Sequence, residues 1–145
     1  TVVFALFLWW ADWRVRGQRQ LGELTARDAL VIGIAQALAL IPGVSRSGIT
    51  MTAGLALGLG RKGAARFSFL LSVPVILAAG VLKGIELGSS AGPVNWVAFT
   101  LGIVMTFASA LAVIALFLRF IERTGMLPFV LYRLLLGAFL FAIFW

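Results

Sequence analysis

Cysteine and histidine are both absent from the 145 residues, and charge of either sign is scarce. Without cysteine there is no disulfide framework and no thiolate nucleophile. Without histidine the usual general base near neutral pH is missing. Only five acids occur, Asp12, Glu23, Asp28, Glu86 and Glu122, and all read as parts of polar segments. Charged residues make up 12% of the chain, whereas a soluble domain carries about a quarter. What is abundant is apolar surface, at 62% of residues and a mean hydropathy of +1.09. The apolar runs are continuous and do not alternate, which excludes a transmembrane β-barrel. Lipid forces each crossing segment to satisfy its own backbone, so the class is all-α and polytopic. The net charge of +7 invites a nucleic-acid partner, but the basic residues stand at the ends of apolar runs. That placement is cytoplasmic anchoring, and no nucleic acid is expected.

The chain opens on Thr1-Val2-Val3, inside an apolar run and without a Met, so it reads as a truncation. Residues 1–10 read as the end of a transmembrane helix closed by Trp9, Trp10 and Trp13, and 11–28 as a cytoplasmic polar loop carrying Arg14, Arg16, Arg19 and Arg27. Thr25 or Asp28 is the expected cap of the next helix. The run Ala29 to Ile41 is too short to span, since a crossing takes about 20 residues. It stops at Pro42-Gly43 and resumes from Ile49 to Leu59, which predicts a re-entrant, broken-helix hairpin over 29–60. Non-helical backbone at such depth needs protein or a water-filled cavity around it. Spanning helices are expected over 66–83, 96–118 and 126–145. Entry and exit of the hairpin on one side gathers nine basic residues there (Arg14, Arg16, Arg19, Arg27, Arg61, Lys62, Arg66, Arg119, Arg123) against Lys83 opposite. That bias makes the basic side cytoplasmic.

The segment Pro42-Gly43-Val44-Ser45-Arg46-Ser47-Gly48-Ile49-Thr50 concentrates the chemistry. It offers a guanidinium, three hydroxyls, glycines that admit close approach of a ligand, and the N-terminus of a helix, where amides and dipole favour an anion. Arginine grips phosphate through parallel charge-assisted bonds, and burying one in a membrane without an anionic partner is costly. The alternative is an N-cap turn, with Ser47 or Thr50 as cap and Arg46 snorkelling to an interface. Arg133, seven residues into the last apolar run, is either a second cation for the same anion or a snorkelling side chain beside Tyr132. Gln36 reads as an interhelical hydrogen-bonding residue. Ser68 reads as a packing residue, and Phe117, Phe120, Phe139, Phe141 and Phe144 as lipid-facing or interfacial aromatics. Gly54, Gly58 and Gly60 with Ala53, Ala56 and Ala64 make a small-residue packing face.

The string PGVSRSGIT resembles the second signature of the bacterial undecaprenyl-diphosphate phosphatase family, the bacitracin-resistance proteins. The resemblance continues through Phe67-Ser68-Phe69-Leu70-Leu71, Pro74 and Tyr132-Arg133. It implies one of two inverted repeats, each with a re-entrant hairpin, in a multi-pass protein of the bacterial plasma membrane. The implied activity is hydrolysis of a polyprenyl diphosphate lipid to the monophosphate and inorganic phosphate, which recycles the lipid carrier of peptidoglycan synthesis and confers bacitracin resistance. By motif, Arg46 and Ser45 are the catalytic candidates; Gly43, Ser47, Gly48, Thr50, Gln36 and Arg133 are candidates for holding substrate, and Ser68 becomes a possible neighbour. The family's glutamate-rich motif, Pro-x-Ser-Ser turn and histidine belong to an N-terminal half that these residues do not include. A divalent cation, Mg or Ca, is therefore expected to find its ligands outside this chain, and a homo-oligomer is possible. The competing class is a transporter or flippase for an anionic lipid or solute, because broken helices serve carriers equally well.

Overall fold

A computed structural model describes residues 2–14, 19–89 and 95–144. Every extended element among them is helical: α1 (Val2–Arg14), α2 (Ala26–Ala37), α3 (Arg46–Ala56), α4 (Arg61–Ser89), α5 (Trp96–Thr124) and α6 (Leu127–Phe144). Two short 3-10 turns, Leu21–Glu23 and Leu38–Leu40, flank α2. Arg16, part of the expected basic cluster, lies outside the described residues, as does the side chain of Phe144.

Helices α4 and α5 are each 29 residues long and apolar enough to cross a membrane. At 1.5 Å per residue each is about 43 Å long, more than the ~30 Å hydrocarbon layer requires. Their apolar side chains are largely exposed, the distribution expected where lipid rather than water is the solvent. Helix α6 is shorter, and equally apolar apart from Arg133.

The ends of elements follow local chemistry. Thr25 caps α2, its hydroxyl accepting from the Asp28 amide while the Asp28 carboxylate accepts from the Thr25 amide, a reciprocal capping box. Ile41 to Val44 make a tight turn closed by Val44 N–H to the Ile41 carbonyl at 3.1 Å. Pro42 and Gly43 take its two central positions, and Gly43 sits at φ +85°, which a side chain would strain. Ser45 then caps α3 by accepting from the Gly48 amide at 3.2 Å. At the far end, Gly58 (φ +86°) turns the chain out of α3.

Helix α3 is the hub, packed on α1, α2 and α4, while α1 also packs on α6 and α4 on α5. The core joins Ala5, Leu8 and Ala11 of α1 to Met51 and Leu55 of α3, Ala64 and Ala65 of α4, and Ile121, Met126 and Val130 at the α5–α6 corner. The small-residue face acts here: a Cβ on Gly54 would lie 3.2 Å from that of Ala64. Phe117 is not lipid-facing; it packs edge-on to Phe69 at 5.5 Å and tilted on Phe129 at 5.1 Å.

Several boundaries differ from the sequence-based expectation. Helix α1 runs on to Arg14, α3 begins at Arg46 instead of Ile49, and α4 begins at Arg61 instead of residue 66. Asp12 is consequently not a loop acid. It is 8% exposed and accepts two bonds from Arg61, Nε to Oδ1 at 2.6 Å and Nη2 to Oδ2 at 3.1 Å, with a third from the Met126 amide at 3.3 Å. One carboxylate thus joins α1, α4 and the α5–α6 turn. Arg19 is likewise not a free anchor: it donates to the Leu57 and Glu23 carbonyls and to Asp28.

Candidate functional site

The cleft begins with Arg46, the first residue of α3. Its Nε and one Nη2 hydrogen go to Gln36 Oε1, both at 3.1 Å, and Nη2 also donates to the Leu71 carbonyl at 2.7 Å. Two neighbouring helices, α2 and α4, therefore fix the guanidinium plane. Nη1, with two hydrogens, has no acceptor among the described residues. The charge is held in place with one corner unspent.

Arg46 lines an open cleft of about 400 Å³ together with Ser45, Ser47, Ser68, Phe69 and Ser72. Ser45 Oγ and Ser47 Oγ are 3.2 Å apart. Because Ser45 Oγ already accepts from the Gly48 amide, its own hydrogen is free for Ser47 or a ligand. The first-turn amides of α3 have no intrahelical carbonyl to satisfy them, and the helix dipole adds positive potential at the same end.

A second guanidinium reaches this turn from α6. A Cβ built on Gly48 would lie 2.7 Å from Arg133 Nη1 and 3.0 Å from Nη2. Arg133 thus lies across the hydrogen-only face of Gly48, and it too has no acceptor among the described residues. Of the residues singled out by sequence, Ser45, Arg46 and Ser47 line the cleft directly, Gln36 braces Arg46, and Gly48 makes room for Arg133. Gly43 stands one turn earlier, shaping the approach. Thr50 is 2% exposed and does not line the cleft; its hydroxyl is 2.7 Å from Ser68 Oγ, which does.

Sequence reasoning did not reach the Leu71 carbonyl, Phe69 or Ser72. Phe69 and Leu71 fall in the string that carries the resemblance, and Ser72 lies four residues after Ser68, on the same face of α4. The donor set is a guanidinium and hydroxyls, with no carboxylate in the cleft, and the described residues hold no cluster of three acids that could bind a metal. This cleft by itself does not fit a divalent cation.

Fold and cleft together define an all-helical protein of the membrane class, with a cationic, hydroxyl-lined cleft at the N-terminus of α3. The particular family follows from comparison: the chain belongs to the bacitracin resistance protein BacA family, whose model matches residues 1–139. Curated relatives carry the name undecaprenyl-diphosphatase. That of Chromohalobacter salexigens is 60% identical over 139 residues, covering 94% of this chain and 52% of its own. Those of Nitrosococcus oceani and Saccharophagus degradans are 57% and 55% identical, covering 99% and 100% of this chain and 54% of each relative. The chain spans about half the length of the curated relatives it matches. No solved structure matches it.

Proposed function

We propose that these residues form one half of a membrane phosphatase that hydrolyses undecaprenyl or another polyprenyl diphosphate to the monophosphate and inorganic phosphate, recycling the lipid carrier of the cell wall. The observation that carries the proposal is the unspent corner of Arg46, fixed by Gln36 and Leu71 over a hydroxyl-lined cleft. In this reading the guanidinium neutralises charge that builds on the transferred phosphoryl group, and Ser45, Ser47 and the α3 amides hold its oxygens. Arg133 supplies the second cation that a diphosphate calls for. The nucleophile or base and any divalent ion belong to the half of the relatives' length that this chain does not span.

The hairpin 26–59 is proposed to be re-entrant in the plasma membrane. Helices α2 and α3, of 12 and 11 residues, are about 18 and 16 Å long, each about half a hydrocarbon layer. Its two ends are tied together, with Arg19 N–H donating to the Gly58 carbonyl and Gly60 N–H to the Arg19 carbonyl. Entry and exit on one side agree with the charge-bias topology, and in this reading the site lies part-way into the membrane.

The test is phosphate release from undecaprenyl diphosphate by the full-length parent protein in detergent, wild type beside Arg46→Ala, with and without Mg or Ca. The expected loss in the mutant is ~100-fold or more, the size of effect seen when a fixed charge-stabilising donor is removed. A folded wild type that releases no phosphate sinks the phosphatase and leaves the anion carrier.

A further inference from the structure

The Thr50 hydroxyl has more partners than hydrogens. Its Oγ1 lies 3.0 Å from the Arg46 carbonyl, 3.2 Å from the Ser47 carbonyl and 2.7 Å from Ser68 Oγ. Carbonyls only accept, whereas each hydroxyl carries one donor and two acceptor positions. When Thr50 points its hydrogen back at its own helix, the Ser68 hydrogen goes to Thr50. When Thr50 turns to Ser68, the Ser68 hydrogen is released to whatever occupies the cleft.

The two residues are not equally placed to meet a ligand. Thr50 is 2% exposed and sits behind the wall, while Ser68 lines the cleft. Ser72, one turn further along α4, also lines it, but donates to the Phe69 carbonyl of its own helix at 2.5 Å. Ser68 is therefore the α4 hydroxyl whose hydrogen can be handed over without stranding a buried acceptor, because Thr50 replaces what it gives up.

We propose that Ser68 binds a phosphoryl oxygen in the cleft, opposite Ser45, Arg46 and Ser47, and that Thr50 is the positioning residue that frees it. The proposal rests on the reading of the cleft as a diphosphate site and assigns the signature threonine a role behind the wall. Binding turns two hydroxyl rotors, giving the chain Thr50 to Ser68 to anion. Hydrogen bonds in such a chain polarise one another, which favours a charged acceptor over water. The anion is then gripped between α3 and α4.

The experiment uses the full-length protein in detergent, with inorganic pyrophosphate binding by calorimetry beside KM and kcat on undecaprenyl diphosphate. Ser68→Ala is expected to weaken pyrophosphate binding and raise KM ~10-fold, in line with loss of one hydrogen bond to a charged group. Thr50→Val is expected to lose less, and Thr50→Ser to recover what Thr50→Val lost. The double variant Thr50→Val/Ser68→Ala is expected to be no worse than Ser68→Ala alone, because Thr50 acts only through Ser68. Unchanged affinity in Ser68→Ala overturns the proposal, as does a double variant whose loss is the product of the singles. Should Thr50→Val fail to fold, Ser68→Ala, which removes one small group, decides alone. Wild type that binds pyrophosphate but releases no phosphate sinks the phosphatase reading while Ser68 is still judged on affinity. Wild type that binds none sinks both.

Discussion

Gln36 Oε1 accepts from both Nε and Nη2 of Arg46 at 3.1 Å, joining two helices across the broken hairpin. A neutral oxygen in that position orients a guanidinium without cancelling its charge. A carboxylate there would make a stronger bond and a worse site, since it would compete with the anion for the same cation. Gln36→Glu is therefore expected to lower pyrophosphate affinity more than Gln36→Ala does, by ~10-fold or more, the cost of a neighbouring unit charge in a partly buried setting. Titration calorimetry on the two variants decides it, and equal losses would mean that Gln36 acts by orientation alone.

Arg133 and Gly48 give a second handle on the site. In the middle of a helical turn Ala is normally the better helix former by ~1 kcal/mol. Here its methyl would displace the Arg133 guanidinium, 2.7 Å away at Nη1. Gly48→Ala should leave thermal stability unchanged or raised, yet lose anion affinity about as far as Arg133→Ala. Combined, the two should cost no more than either alone. If Gly48→Ala binds pyrophosphate like wild type, Arg133 is a snorkelling side chain and the cleft holds one cation.

Much of this site was legible before any coordinates. Pro42-Gly43 announces a turn, and the hydroxyls after it announce a cap, although the sequence pointed to Ser47 or Thr50 and the cap is Ser45. The apolar runs of α4, α5 and α6 are equally plain. Helix ends were not, and the reason is physical. Asp12 reads as a loop residue because it opens a polar segment rich in arginine; its actual partner, Arg61, lies 49 residues away. The start of α4 reads as residue 66 because the apolar run begins at Phe67; the basic residues before it are helical too, and Lys62 meets Glu122, 2.6 Å away on α5. The Leu71 carbonyl, which fixes Arg46, carries no side-chain signature at all.

The Asp12–Arg61 joint predicts a stability effect distinct from catalysis. Arg61 is 41% exposed and the Asp12 side chain 9%, so the pair lies between surface pairs worth ~0–1 kcal/mol and buried ones that cost ~3–5 when one partner is removed. Asp12→Ala is expected to destabilise the fold by ~2 kcal/mol in thermal unfolding in detergent. Arg61→Lys should recover little of the loss seen in Arg61→Ala, because a lysine cannot donate to both oxygens. Full recovery would show that only the charge matters there.

The last prediction concerns acid. Asp28 accepts from the Thr25 amide and from Arg19, and these bonds, the amide first, hold its pKa down from 3.8 to about 2. A carboxylate with a depressed folded pKa contributes stability that is fully present above its unfolded value and is lost as pH falls through the folded one. The stake is local: Asp28 closes the capping box of α2 and receives Arg19, whose backbone pairs with Gly58 and Gly60 at the exit of the hairpin. Both ends of the hairpin should therefore loosen together between about pH 4 and pH 2. Hydrogen exchange of the amides of Thr25, Gly60 and Arg19, followed across that window, should speed up as one unit. In Asp28→Asn the same amides should exchange faster already at pH 6, with their remaining pH dependence flattened between pH 4 and pH 2. If wild type and Asp28→Asn show the same profile, Asp28 is a solvated surface acid and the hairpin is held shut by other contacts.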